Sequence, residues 1–295
     1  MGWDKITEQQ NPASSNIDEK TTHEILTIIN NEDADVAKAV QKKIHDIGAF
    51  IDKLFPRFQN GGRLFYIGSG TSGRLGVLDA AECPPTYRTD PEMVQGIIAG
   101  GHDALVKSIE GAEDFPEDGA KAIVERSITD NDIVLGITAS SSTPFVLGAL
   151  EKAHNIGALT GLIICNQQSK LQYVDHNIPI IVGPEVITGS TRMKAGTATK
   201  LVLNMITTTI MIKLNKTFGN LMVDLKASND KLWNRGARII VHLTELDYND
   251  SLHLLKSANG KVKAAILMEK KNYTYKESIQ LLKSVGGSLK KALEE

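Results

Sequence analysis

The chain has 295 residues, enough for one large domain or two smaller ones. Hydrophobic residues at 41% and charged residues at 23% describe a globular protein with a sizeable core, which sets aside disordered and fibrous classes. A formal net charge of −2 gives no basic face for nucleic acid, and the two cysteines, Cys83 and Cys165, form no CxxC pair and fit a reducing compartment.

The first residues, MGWDKITEQQNPASSN, are polar and hold no apolar signal core. Met1-Gly2 is not followed by Ser or Thr at the sixth position, so myristoylation is not indicated. Residues 1–20 read as an extended polar arm. Thr22 is placed to cap a helix from His23, with Ile25, Leu26, Ile28 and Ile29 on its apolar side, and Asn30-Asn31-Glu32-Asp33 breaks the pattern. Val36, Val40, Ile44, Ile47, Ile51 and Leu54 then recur at helical spacing, predicting one helix to Phe55 that Pro56 and Gly61-Gly62 end.

Residues 63–85, RLFYIGSGTSGRLGVLDAAECPP, organise the central part of the chain. The apolar run Leu64 to Ile67 predicts a strand. Gly68-Ser69-Gly70-Thr71-Ser72-Gly73 is a loop, and Arg74 to Ala81 predicts an amphipathic helix that ends at Glu82 before Pro84-Pro85. A glycine loop between strand and helix offers backbone N–H groups and hydroxyls to an anion. GSGTSG is one residue short of the dinucleotide spacing, and no GKS or GKT comes after it. Three hydroxyls among three glycines favour one phosphate over a pyrophosphate, and the plain alternative is a tight turn with a helix cap.

Met93 to Ala99 predicts a second strand, Ala104 to Glu110 a short helix, and Ala120 to Arg126 another. Asp132 to Ile137 is a third strand. It opens into Thr138-Ala139-Ser140-Ser141-Ser142-Thr143-Pro144 and a helix from Phe145 to His154, with Pro144 in its first turn. This repeats the first unit: apolar strand, hydroxyl-rich loop, helix start. Strands at Leu159 to Cys165 and Ile178 to Val182 complete a mostly parallel α/β sheet covered on both faces. Ser190 or Thr191 can cap a long helix to about Leu214, whose apolar part is too short and too polar to span a bilayer. Beyond residue 225 the pattern turns helical, with candidates at Lys226 to Thr244, Tyr248 to Ala258, Lys261 to Glu269 and Tyr275 to Leu282, then a charged, solvated tail.

No histidine stands in a metal-ligand spacing with a cysteine, so no metal is expected, and there is no GxSxG elbow. Cys83 reads as a buried structural thiol. Glu82, at a helix end in an apolar context, is either a surface residue or a partly buried acid; the helix C-terminus disfavours its charge, and burial would also raise its pKa. Both suit proton transfer near neutral pH. Glu113 lies in the turn Glu110-Gly111-Ala112-Glu113-Asp114, where a solvated acidic loop is the simplest reading.

The segments NPASSNID, GSGTSGRLGVLDAAECPPTY, EGAED, GPEVITGSTRMKAGTATKLVLNM and FGNLMVDLKASNDKL occur in an order and spacing that resemble the N-acetylmuramic acid 6-phosphate etherases, a family of sugar-isomerase-type (SIS) proteins. The resemblance covers nearly the whole chain. It implies an SIS-type, mostly parallel sheet flanked by helices, with a small C-terminal all-helical bundle like the ubiquitin-associated domain. The implied division is an N-terminal arm and helices over 1–55, a sugar-phosphate domain over 56–225 and a helical domain over 226–295. It also implies a cytoplasmic, homodimeric, cofactor-free lyase. That enzyme converts N-acetylmuramic acid 6-phosphate to N-acetylglucosamine 6-phosphate and D-lactate in cell-wall sugar recycling or catabolism, with no nucleic acid or membrane partner.

By resemblance, Glu82 protonates the departing lactate and Glu113 takes the C2 proton. Ser69, Gly70, Thr71 and Ser72 with Ser140, Ser142 and Thr143 hold the phosphate, and Glu185, Ser190 and Lys194 contact the sugar. An isomerase or a non-catalytic sugar-phosphate sensor on the same fold is the alternative. One departure stands out: the family commonly reads ASGRTPY where this chain has Ala139-Ser140-Ser141-Ser142-Thr143-Pro144-Phe145. Losing the glycine at 141 is expected to limit positive φ there, and losing the arginine at 142 removes a charged donor.

Overall fold

The computed structural model describes residues 5–167, 170–225 and 227–295; the Met1-Gly2 start and the expected helix start at Lys226 lie outside the described residues. Contacts divide the chain into two compact units, Met1–Ala81 with Glu92–Ile206, and Glu82–Pro91 with Thr207–Glu295.

In the first unit, the arm is not extended. It folds into three short 3₁₀ turns, Ile6–Glu8, Pro12–Ser14 and Ile17–Glu19, and Thr7 is fully buried. Helix α1 (Thr22–Ala34) is capped by Thr21 in a reciprocal capping box with Glu24 and runs through the expected polar break. The single helix expected next is two, α2 (Val36–Gln41) and α3 (Ile44–Gln59). Pro56 does not stop α3: its fixed φ is helical, although its ring removes one backbone donor and crowds the carbonyl four residues back. The helix ends where Gly61 turns at φ +81° and the Gly62 N–H bonds the Arg57 carbonyl at 2.8 Å.

The sheet is built from five apolar runs: β1 (Leu64–Gly68), β2 (Val94–Ile98), β3 (Ile133–Thr138), β4 (Leu159–Ile164) and β5 (His176–Pro179). Every pairing is parallel and the order is β2-β1-β3-β4-β5. The central strands are buried along their whole length, as sheets covered on both faces require. Helix α5 (Pro116–Glu125) packs on α6 (Pro144–Ile156) at very close range. A Cβ at Gly119 would overlap the Phe145 carbonyl, and one at Gly148 the Pro116 carbonyl, so only glycine fits either position. The short helix expected from Ala104 is a single 3₁₀ turn, His102–Leu105.

At the far end of the sheet from the loops, Asp132 locks β1 to β3. Its buried carboxylate accepts from the Arg63 backbone N–H (2.9 Å), Nε (3.1 Å) and guanidinium (2.8 Å), and from the Thr129 N–H (2.9 Å). Burial works to raise this carboxyl's pKa, but the bonds from Arg63 and Thr129 outweigh it and hold it below the usual aspartate range.

Two helices span residues of both units: α4 (Gly70–Tyr87) and α7 (Lys194–Lys213). Contrary to expectation, α4 continues through Pro84-Pro85. It stops at Arg88, whose N–H bonds the Pro84 carbonyl at 2.9 Å with φ at +51°. Helix α7 starts after Ser190 and Thr191, neither of which caps it.

The second unit is helical: α8 (Asp230–Leu243), α9 (Tyr248–Ser257), α10 (Val262–Lys271), α11 (Tyr275–Ser284) and α12 (Leu289–Glu294). Ile240, Leu255, Ala265, Ile266 and Leu289 form its core. The tail expected to be solvated is α12, with Leu289 and Ala292 buried. Lys263 is buried too, and its ammonium donates to Asp224 and to the carbonyls of Asn215 and Gly287. No helix among the described residues is long and apolar enough to cross a membrane.

Candidate active site

The strand order places a topological switch between β1 and β3: the chain leaves β1 for β2 on one side, then resumes on the other. Ligands of open α/β sheets bind at the carboxyl ends of the strands at such a point. Gly68 pairs in register with Ile137, so the two hydroxyl loops leave the sheet side by side.

The first loop is very short. β1 ends at Gly68 and α4 begins at Gly70, leaving Ser69 between them. Gly70 sits at φ +51°, the left-handed turn that lets the chain enter the helix at once. Thr71 and Ser72 occupy the first helical turn, half-buried. In the second loop Thr138 Oγ1 bonds Thr143 Oγ1 (2.7 Å) and Ser140 Oγ (3.4 Å), and Ser140 Oγ lies 3.4 Å from Ser142 Oγ. The expected limit on positive φ at 141 does not hold. Ser141 is buried at φ +65°, and its hydroxyl donates to the Ser140 carbonyl at 2.5 Å.

Glu113 links the two loops. Its carboxylate accepts a short hydrogen bond from Ser69 Oγ. Its backbone carbonyl accepts from the Phe145 N–H at 3.0 Å, in the first turn after the second loop. Ser69, Gly70, Arg74, Ser108, Glu110 and Glu113 are among the residues that line a cavity of about 340 Å³. Arg74 fixes one wall: its Nε donates to the Leu105 carbonyl (3.1 Å) and its guanidinium to the Lys107 carbonyl (2.9 Å). Glu113 is exposed, as a solvated acidic loop predicts, but Ser69 holds its carboxylate at the switch point.

Glu82 belongs to the second unit and is exposed. Because α4 runs on to Tyr87, Glu82 lies inside the helix and not at its C-terminus. The structure thus gives Glu82 no helix end, and of the two placements open from the sequence it takes the surface one.

Glu185 and Lys194 are buried and engaged elsewhere. The Glu185 carboxylate accepts the N–H groups of Lys194 and Ala195, both at 2.9 Å, and so caps α7. Burial pushes this carboxyl's pKa up, more than the two N–H donors and the Lys194 ammonium pull it down. Burial, with the Glu185 charge nearby, also raises the Cys165 thiol to about 12. The Lys194 ammonium donates to Glu32 at 2.5 Å, beside the Asn11 amide at 2.7 Å. Ser190 sits half-buried in the turn before α7, with its N–H on the Ile187 carbonyl.

Sequence reasoning misses three residues here. Arg74 reads from the sequence only as a helix residue. Asn166, buried, donates to the Ala139 carbonyl (2.8 Å) and to Thr7 Oγ1 (3.0 Å), tying the N-terminal arm to the second loop. Lys5 donates to Ser142 Oγ at 2.5 Å. The position expected to have lost its cation with the arginine therefore has one beside it. Only the polar, hydroxyl-rich character of the arm hints at these contacts.

Known proteins similar to this chain carry one recurring name. A protein of Clostridium acetobutylicum named N-acetylmuramic acid 6-phosphate etherase is 55% identical over 271 residues, 91% of this chain and 89% of that one. The protein of the same name from Salinibacter ruber is 50% identical over 268 residues, 90% of this chain and 86% of its own. The family model of the glucokinase regulatory protein N-terminal SIS domain matches residues 46–154. Among solved structures, a phosphoheptose isomerase from Neisseria gonorrhoeae is similar with a TM-score of 0.48 at 15% identity, over 64% of this chain and 98% of that chain.

Proposed function

The chain belongs to the N-acetylmuramic acid 6-phosphate etherase family, and we propose that it cleaves the D-lactyl ether of N-acetylmuramic acid 6-phosphate to N-acetylglucosamine 6-phosphate and D-lactate. The observation that carries this reading within the fold is Glu113, bonded to one hydroxyl loop by its carboxylate and to the helix after the other by its carbonyl. A phosphate held by those loops puts the sugar carbons within reach of a fixed carboxylate.

An ether is a poor electrophile, so direct hydrolysis is slow. Ring opening exposes the C1 aldehyde, which acidifies the C2 proton. Glu113 takes that proton, the electron pair forms the C2–C3 double bond, and the C3–O bond breaks. Glu82 protonates the leaving lactate oxygen. Water then adds at C3 of the unsaturated aldehyde, with a proton returned to C2, and the two carboxyl groups exchange roles. Ser69, Gly70, Thr71, Ser72, Ser140, Ser142 and Thr143 bind the phosphate. Ser190 faces the sugar, and Glu185 and Lys194 support that segment from within. Residues 226–295 act as a helical module of a cytoplasmic homodimer that serves cell-wall sugar recycling.

The test is D-lactate release from N-acetylmuramic acid 6-phosphate in the presence of EDTA. Wild type should release lactate, and Glu82→Ala and Glu113→Ala should not. Glu113→Gln should also lose exchange of the C2 proton with deuterium oxide; normal exchange in that variant would remove Glu113 from the base role.

A further inference from the structure

The N-terminal arm reaches the second hydroxyl loop, and its contact there is a cation. Lys5 donates to Ser142 Oγ at 2.5 Å, at the outer end of the hydroxyl series Thr138, Ser140, Ser142. Pro144, two residues on, opens α6, and the first N–H groups of that helix are already taken by the carbonyls of Glu113 and Thr143. Lys5 has no carboxylate within ion-pair distance among the described residues. An ammonium has three N–H donors, and this one uses a single donor on a neutral hydroxyl.

The position of Lys5 is set two residues away. Thr7 is completely buried, with its carbonyl on the Gly189 N–H at 3.1 Å and its hydroxyl on the Asn166 amide at 3.0 Å. The same amide holds the Ala139 carbonyl at 2.8 Å. One buried asparagine thus fixes both the base of the arm and the root of the loop, which keeps the ammonium and the hydroxyls together before any ligand arrives. Holding a lysine there without a counter-ion gains nothing for folding; it is useful to an anion.

We propose that Lys5 is a binding residue for the phosphomonoester end of the substrate, supplied by the N-terminal arm to a loop that has no cation of its own. The inference rests on the etherase reading for the identity of the sugar, but not for its central claim of a phosphate contact.

The experiment is titration calorimetry of the full chain with N-acetylglucosamine 6-phosphate and with unphosphorylated N-acetylglucosamine. Lys5→Met should weaken binding of the phosphorylated sugar about tenfold and leave the plain sugar unaffected, the size of one charge-assisted contact at a partly exposed site. Lys5→Arg should restore most of the loss. In turnover the Lys5→Met effect should appear mainly in KM. Thr7→Val, which loosens the arm without touching the charge, should weaken the phosphorylated sugar as well.

Equal affinity of wild type and Lys5→Met for the phosphorylated sugar overturns the proposal, as does a loss on Thr7→Val alone. If wild type releases no D-lactate yet Lys5→Met still weakens phosphosugar binding, the etherase reading fails and this one stands.

Discussion

The two hydroxyl loops solve one problem in different ways. Each comes after a strand at the switch point, offers a serine, and then turns through a left-handed residue, Gly70 in the first and Ser141 in the second. The first has the residue that turn prefers, closes at once into α4 and binds Glu113. The second forces the turn on a buried serine, bonds its hydroxyls to one another and borrows a cation from the arm. The first loop therefore carries the contact to a carboxylate, and the second the contact to a cation.

The largest expected effect tests whether the loops depend on strand register. Asp132 holds the start of β3 to Arg63 at the start of β1, and this sets where both strands end. Asp132→Ala should destabilise the protein by about 3 kcal/mol in chemical denaturation, because it strands buried donors. The folded pKa is depressed, so the contribution of Asp132 is complete above the unfolded aspartate value of about 3.9 and is lost as pH falls below it through the folded value. The variant should therefore show a shallower loss of stability on acidification than wild type. An unchanged acid transition would mean that another carboxylate governs it.

The next effect separates the loops by function. Ser69→Ala frees the Glu113 carboxylate and should lower kcat about a hundredfold if Glu113 is the base proposed above, the cost of misplacing it. Ser140→Ala touches no carboxylate and should raise KM several-fold, with a smaller change in kcat. If both serines act on KM alone, the Ser69 contact does not serve the proposed role of Glu113.

Much of this is legible in the sequence. Apolar runs before the loops at 69 and 139 mark the strands, because buried parallel strands read as continuous hydrophobic stretches. The hydroxyl repeat points to the site. Element ends come out wrong wherever proline or polarity is taken as a stop: at Pro56, at Pro84-Pro85 and at Asn30 to Asp33. Proline costs a donor but keeps a helical φ, and a surface helix such as α1 tolerates polar residues throughout. The helix end expected at Glu82 stems from one of those errors. The contacts of Asn166, Thr7 and Lys5 are barely hinted at, since they join positions about 140 to 160 residues apart, and polar pairs at that range leave no periodic signal.

The smallest effect bears most directly on the contrast between the loops. A β-carbon in the left-handed region costs about 1 kcal/mol relative to glycine. Nothing lies within 4 Å of where a Cβ would stand on Gly70, so Gly70→Ala should lose about that amount in stability from backbone strain alone. Ser141→Gly should gain a similar amount by relieving φ +65°, offset in part by the loss of its hydroxyl bond to the Ser140 carbonyl and by the greater freedom of glycine in the unfolded chain. The two signs are opposite, and together they measure the strain held in the second loop. If Ser141→Gly is instead destabilising while Gly70→Ala behaves as stated, the Ser141 hydroxyl contributes more than its backbone costs. In that case the serine at 141 is a structural member of the loop rather than a tolerated replacement for glycine.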